Sequence, residues 1–224
     1  GGRQEITARF LRHFNMIGYT EMKDNSKFTI FNTILSNFLS RFEGDLEDLS
    51  VPMVNSTIDL FNTIVRELLP TPAKSHYTFN LRDLAKVFQG CLMIDPKNCS
   101  ESDGFVRLWV HECKRVFYDR LTNDTDKPWF EEKLRSLMKN NFKMEWDEVV
   151  GSERLIYGDY MVPGADPKYY EQVTDLAKLK STIEEYLVDH NAESKQPMPL
   201  VMFMDAIEHV SKIARVLRQP QGNC

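Results

Sequence analysis

The sequence predicts a mainly α-helical protein, and three observations carry that prediction. From residue 26 onward, apolar residues recur at three- and four-residue steps, the period of one helix face. The stretches with that period are bounded by proline, glycine and good N-cap residues, which start and stop helices. Strand-like runs are confined to two short places, residues 15–20 and 154–157.

Taken in order, residues 7–14 read as one or two helical turns, and Asn15-Met16-Ile17-Gly18-Tyr19-Thr20 as a short strand. Ser26 is placed to cap the next helix, whose apolar stripe is Phe28, Phe31, Ile34, Leu35, Phe38 and Phe42; Gly44 stops it. The four phenylalanines of that stripe are expected to be core. Pro52 suits the first turn of a helix carrying Ile58, Phe61, Ile64, Val65 and Leu68, and Pro70-Thr71-Pro72 ends it, because proline cannot continue a helix. Asn80 is a strong N-cap for a helix with Leu81, Leu84, Val87, Phe88, Cys91 and Leu92, which ends at Asp95-Pro96. Residues 102–121 follow with Phe105, Leu108, Trp109, Val116, Phe117 and Leu121 on one side. A further helix after Pro128 holds Phe130, Leu134, Leu137 and Met138, with Trp109 and Trp129 read as packing residues. Residues 143–170 break the rhythm with Gly151, Gly158, Pro163, Gly164 and Pro167 and read as a loop-rich connector with one short strand. The last two helices lie near 171–188, with Val173, Leu176, Leu179, Ile183 and Leu187, and near 199–218, with Phe203, Ile207, Val210, Ala214 and Leu217.

Composition narrows the function. The chain has 224 residues, enough for one large domain or two small ones, and 28 basic against 33 acidic residues give a net charge of −5. That balance disfavours a nucleic-acid binder, which needs a basic surface to displace counterions. No apolar run reaches the roughly 18–20 residues of a membrane span. The four cysteines, Cys91, Cys99, Cys113 and Cys224, contain no CxxC pair and have irregular spacing, so buried thiols in a reducing compartment are the reading, not a disulfide framework. His111 and Cys113 lie two apart on a helix and point to different faces, which argues against a shared metal. No phosphate-binding loop, dinucleotide fingerprint, HExxH or GxSxG string is present, and Glu131-Glu132 and Glu184-Glu185 read as solvated helix faces. The residues alone define a helical protein with no self-sufficient catalytic constellation.

Longer strings are more specific. Gly1-Gly2-Arg3 followed by Thr7-Ala8-Arg9-Phe10-Leu11-Arg12-His13-Phe14-Asn15 resembles a passage of dynein heavy chains that follows the sensor-1 strand of the third AAA+ module. Leu69-Pro70-Thr71-Pro72-Ala73-Lys74-Ser75-His76-Tyr77-Thr78-Phe79-Asn80-Leu81-Arg82-Asp83 resembles the sensor-2 region of that module's lid. Arg107-Leu108-Trp109-Val110-His111-Glu112 and Arg115-Val116-Phe117-Tyr118-Asp119-Arg120-Leu121 resemble the helices that follow. The stretch from Phe203 to Gln219-Pro220-Gln221-Gly222-Asn223 resembles the lead-in to the fourth module. The details are similar to axonemal heavy chains, and Tyr160-Met161-Val162-Pro163 and Pro199-Leu200-Val201 to the single-headed inner-arm type.

The resemblance implies an AAA+ lid-type helical bundle with a short α/β remnant at the N-terminus and a loop-rich connector with minor strand. Residues 1–25 would end the large subdomain of the third module, 26–142 would form the lid and following helices, 143–170 the connector, and 171–224 the helices leading into the next module. It implies that the chain lacks the Walker A and Walker B motifs of either site and does not hydrolyse ATP by itself. In the intact ring ATP or ADP with Mg would be the cofactor. The implied partners are adjacent AAA+ modules, a microtubule reached through a distant stalk, and dynein intermediate and light chains, with no nucleic acid and no membrane. The implied location is the axoneme of a cilium or flagellum.

Site residues follow from the same resemblance. Phosphoryl transfer to water needs positive charge where negative charge spreads over the γ-phosphoryl oxygens, and arginine suits this because its planar guanidinium is always charged. Arg82 corresponds to sensor 2, near a helix N-terminus that itself favours anions; the alternative is an exposed arginine paired with Asp83. Arg9 and Arg12 share a helix face and are candidate arginine fingers for the preceding module's site, or else make interface salt bridges. Pro72, Lys74 and Tyr77 sit in the loop before the sensor helix and would shape the lid's docking, with a rigid turn as the alternative to a direct nucleotide contact. Leu200 and Val201 would start the last helix near the adenine of the next site, or simply pack in the core. A helical scaffold without a nucleotide role is the competing function; the absence of a repeat of about 33–47 residues argues against it.

Overall fold

A computed structural model describes residues 5–42, 44–151, 154–220 and 222, without the side chain of Asp45. The opening Gly1-Gly2-Arg3 string, Gln221, Asn223 and Cys224 of the sequence reading lie outside the described residues.

The chain starts with one turn, α1 (Ala8–Leu11), and then runs without regular structure to residue 23. The strand expected at 15–20 does not form. A strand is stable only when its backbone is paired with another, and here Met16, Ile17 and Tyr19 are exposed, with no strand beside them among the described residues. α2 (Asp24–Leu39) begins two residues before the expected Ser26 cap, its first turn held by Lys27 Nζ to Asp24 Oδ1 at 2.8 Å. Its buried face is Lys27, Phe31, Leu35 and Leu39, with Phe28 and Phe38 partly covered; Ile34 faces outward.

A 3₁₀ turn at Asp45–Leu49 leads into α3 (Ser50–Glu67), which carries Pro52 in its first turn as expected and packs on α2. α4 (Leu81–Cys91) is capped by Asn80, whose side chain accepts from Arg82 N while Asp83 accepts from Asn80 N, a reciprocal capping box. α5 (Ser102–Val116) is buried along nearly its whole surface and packs on α4. Trp109 is fully buried and donates Nε1–H to Thr57 Oγ1 at 2.9 Å, tying α5 to α3. The expected helix to residue 121 stops at Val116 and continues as a 3₁₀ turn, Tyr118–Arg120. α6 (Asp126–Leu137) passes into a π turn, Met138–Phe142, closed by Lys143 in the left-handed region at φ 59°.

The connector holds one more helical turn, α7 (Trp146–Val149), and the expected short strand, β1 (Tyr157–Gly158). Its antiparallel partner β2 (Glu171–Gln172) lies where a helix was expected to begin, with Tyr157 opposite Gln172. The helix instead starts at α8 (Leu176–Glu193), where Asp175 accepts from the N–H groups of Ala177 and Lys178. α9 (Met204–Arg218) closes the chain, five residues later than expected. Leu200 and Val201 therefore precede it in extended chain and are 54% and 82% exposed, so neither starts the helix nor packs in a core.

One core unites α2 to α7 with Tyr157 and Tyr170; a second, smaller one joins Ile156, Val173, Leu179, Ile183 and Ile207 of the hairpin, α8 and α9. Among the described residues no helix is long and apolar enough to cross a membrane.

Candidate functional site

Two places concentrate polar chemistry: the N-terminus of α4, and the surface where α9 meets α5.

At α4, Arg120 arranges the approach. Its guanidinium donates to Asp83 Oδ2 at 3.0 Å and to the carbonyls of His76 and Thr78 at 2.7 and 3.2 Å, and it stacks over Phe79 at 4.5 Å. Lys74 and Tyr77 both reach Asp126 Oδ2, at 2.6 and 2.9 Å, and pin the preceding loop to the start of α6. These residues shape a rigid turn. Asp83 Oδ2 accepts from both Asn80 N and Arg120, and the pairing Arg82–Asp83 does not occur among the described residues. Arg82 is exposed, and among the described residues its side chain has no hydrogen-bond or ion-pair partner. Arg9 and Arg12 sit on and just after the short α1, both exposed and likewise without a partner among the described residues. Among the described residues, no hydrogen bond or ion pair joins the Arg9 or Arg12 side chain to α4 or α9.

The second place was missed by sequence reasoning. Glu112 on α5 is 0% exposed and Arg215 on α9 only 9%. Arg215 Nε lies 3.2 and 3.0 Å from the two carboxylate oxygens, and its Nη2 also meets Oε2. Tyr170, in the segment entering β2, donates its hydroxyl to Glu112 Oε1 at 2.9 Å. On the remaining side is Gly90 of α4: a Cβ there would stand 1.8 Å from Glu112 Oε2. The carboxylate occupies the space a side chain at position 90 would take.

The neighbours set the protonation states. His111 Nδ1 faces the Leu155 carbonyl at 3.0 Å, so it must donate, leaving Nε2 unprotonated 3.3 Å from the Tyr170 oxygen, whose single proton goes to Glu112. Burial, then the positive charges of Arg115 and Arg215, pull the imidazole well below its usual pKa, so the ring is neutral and its 3.8 Å approach to Glu112 is not an ion pair. Burial and then the Glu112 charge push the Tyr170 phenol up, keeping it a donor. Burial pulls Arg215 down, but the Glu112 charge and hydrogen bonds outweigh it and hold the guanidinium above its usual value. Around this centre, Lys212 reaches Asp119 at 3.2 Å and Glu208 at 3.3 Å, and Arg154 reaches Asp205 at 2.8 Å. Arg115 joins Glu208 at 3.7 Å; its Nε lies 3.2 Å from Asp119 without hydrogen-bond alignment. Tyr160 donates to Ser211 Oγ at 2.6 Å.

The signal was present in the spacing. The α5 stripe Phe105, Leu108, Trp109, Val116 has a gap at 112, where the period calls for an apolar residue and the chain has glutamate. On α9 the inward face is Ile207, Ser211 and Arg215, while the expected Phe203, Val210 and Leu217 are exposed. Of the expected stripe Ile207 is buried in the second core, and the rest of the inward face is polar.

The fold and these sites define a class. Residues 53–152, from α3 through α7, match the AAA+ lid domain family. Over its whole length the chain is 44% identical to dynein axonemal heavy chain 1 of Homo sapiens, 41% to dynein axonemal heavy chain 6 of Homo sapiens and 38% to dynein axonemal heavy chain 3 of Mus musculus. The chain belongs to the axonemal dynein heavy chain family. It spans 5–6% of the length of these relatives.

Proposed function

We propose that the chain is the lid and the following segment of one module in the AAA+ ring of an axonemal dynein heavy chain of the single-headed inner-arm type. The intact protein would be an ATP-driven, minus-end-directed microtubule motor for ciliary or flagellar movement. The observation that carries this reading is the similarity to axonemal heavy chains over the full 224 residues, together with the AAA+ lid match at 53–152. The divisions of the chain follow the same reading: 1–25 the end of a large subdomain, 26–142 the lid and following helices, 143–170 the connector, 171–224 the entry to the next module.

In the site of its own module, ATP or ADP with Mg would meet this chain at the Arg82 guanidinium. The Asn80 cap engages Arg82 N, and the exposed Arg82 guanidinium, without a side-chain partner among the described residues, is placed to meet a phosphate at the start of α4. In this role Arg82 senses the γ-phosphate and biases the lid between two packed arrangements, a population shift set by differential contacts. The rigid Arg120–Asp83 and Lys74–Asp126 ties support it, because they hold Arg82 on a fixed element. Arg9 or Arg12 would reach the site of the preceding module. Leu200 and Val201, exposed here, would lie near the adenine of the following site. Microtubule, intermediate chain and light chain contacts, and location in the axoneme, belong to the whole protein in this reading.

The test is nucleotide affinity at the third site of a longer polypeptide carrying the second to fourth modules, read with a fluorescent ATP analogue. A charge-assisted hydrogen bond contributes about 1.5–3 kcal/mol, so Arg82→Ala is expected to weaken binding about 10- to 100-fold. Unchanged affinity would remove the sensor assignment.

A further inference from the structure

The α8–α9 layer has its own small core and meets α5 and the turn after it through the polar pairs Arg215–Glu112, Glu208–Arg115 and Lys212–Asp119. α9 turns Ser211 and Arg215 inward and leaves Val210, Ile213 and Leu217 in solvent. Apolar burial is non-directional, so an apolar contact between two helices tolerates sliding and rotation. A guanidinium bound to both oxygens of one carboxylate does not. Glu112 has both oxygens engaged by Arg215 and one also by Tyr170, and Gly90 leaves room for it in a single place.

The geometry points to Glu112 as a positioning residue: with Arg215 and the bare surface of Gly90 it fixes the one register in which α9 sits on the lid, so that α4, α5 and α9 travel as one piece. A shift of α9 by one turn in either direction would bring Ser211 or Gln219 opposite Glu112. Either breaks the two-oxygen fork of Arg215, and the cations nearest in those registers, Lys212 and Arg218, lie to the side of that line and are already held by Asp119 and Glu208 or by Asp159, so losing the matched partner of a buried carboxylate is strongly unfavourable. The pair therefore rejects the neighbouring registers more than it adds to stability, since a matched apolar pair of similar volume often holds as well. That nucleotide moves this piece rests on the reading of the previous section; the register does not.

The experiment is made on the chain without nucleotide, so its outcome is independent of Arg82. Native-state hydrogen exchange is measured on wild type, E112Q, R215M and R215K. In E112Q and R215M, one charge stays buried alone, and α9 amides should lose protection by about 100-fold or more while α5 amides keep theirs. R215K keeps the charge without the planar fork and should fall between. The double variant E112M/R215M leaves no buried charge and should regain α9 protection. Spin labels on K86C and H209C, both exposed positions, in a C224S background should then report one narrow distance in wild type and a broad or divided distribution in the double variant. Cys91, Cys99 and Cys113 are buried. If the single variants do not fold, the double variant decides by that distance. The proposal is overturned if the double variant keeps the narrow wild-type distance. It is also overturned if the single variants lower α4, α5 and α9 protection alike, or leave α9 protection unchanged.

Discussion

Gly90→Ala isolates the buried carboxylate from every other feature of the fold. In a helix interior, alanine is favoured over glycine by about 0.8–1.0 kcal/mol, so on propensity alone the substitution should stabilise α4. The structure reverses the sign. The new Cβ would lie 1.8 Å from Glu112 Oε2, 2.2 Å from Cδ and 2.8 Å from Cγ. Glutamate side chains normally swing away from such a contact, but Glu112 is fully buried between Arg215 and Tyr170 and has nowhere to go without abandoning them. Separating a buried ion pair costs about 3–5 kcal/mol, so the net destabilisation is about 2–4 kcal/mol after the propensity gain is subtracted. With a urea m-value of about 2–3 kcal/mol/M, the unfolding midpoint should drop by about 1 M. In a background where Glu112 is already alanine, the same Gly90→Ala should be neutral or stabilising. A wild-type background in which Gly90→Ala leaves the midpoint unchanged or raises it would refute the reasoning.

Other predictions follow from the same geometry. Asn80→Ala should cost about 1 kcal/mol by chemical denaturation, because it removes the acceptor for Arg82 N at the start of α4. The pKa of His111 is depressed in the fold, so below about pH 6.5 the unfolded state binds a proton that the native state does not. Stability should therefore fall with falling pH below that point, by up to about 1.4 kcal/mol per unit from this group, and His111→Asn should flatten the slope; an unaltered slope would mean the buried ring is not its source. Arg9→Ala and Arg12→Ala should change stability by no more than about 0.5 kcal/mol, as exposed side chains without partners do. The purified chain alone should show no ATP turnover in a phosphate-release assay, and turnover above background would count against the assigned division of motifs.

Much of the helical frame was legible because it rests on local rules. Pro52, Asn80 and Asp126-Lys127-Pro128 mark helix starts by chemistry that acts within one turn, and the starts lie at or beside them. What was not legible depends on groups far apart in sequence. Glu112 and Arg215 are 103 residues apart, and each looks like a solvated charge until the other is placed beside it. The face of α9 was misjudged for that reason: its apolar stripe is regular, but the side with specific partners is the one that is buried. The strand β2 was missed because a two-residue strand has no periodicity to read, only a partner at β1. The resemblance supplied Arg82, Arg9 and Arg12, and packing analysis alone would not have singled them out, since none is buried or paired.

The most direct measurement of the central claim is the position of the lid in the three-module polypeptide as nucleotide is exchanged. A distance between a label on the exposed face of α4, at Lys86, and one on the third module's large subdomain should shift on ATP binding and return after hydrolysis. Arg82→Ala should abolish the shift while leaving the lid folded. A lid that keeps one distance in all nucleotide states, or moves equally with alanine at position 82, would contradict the account.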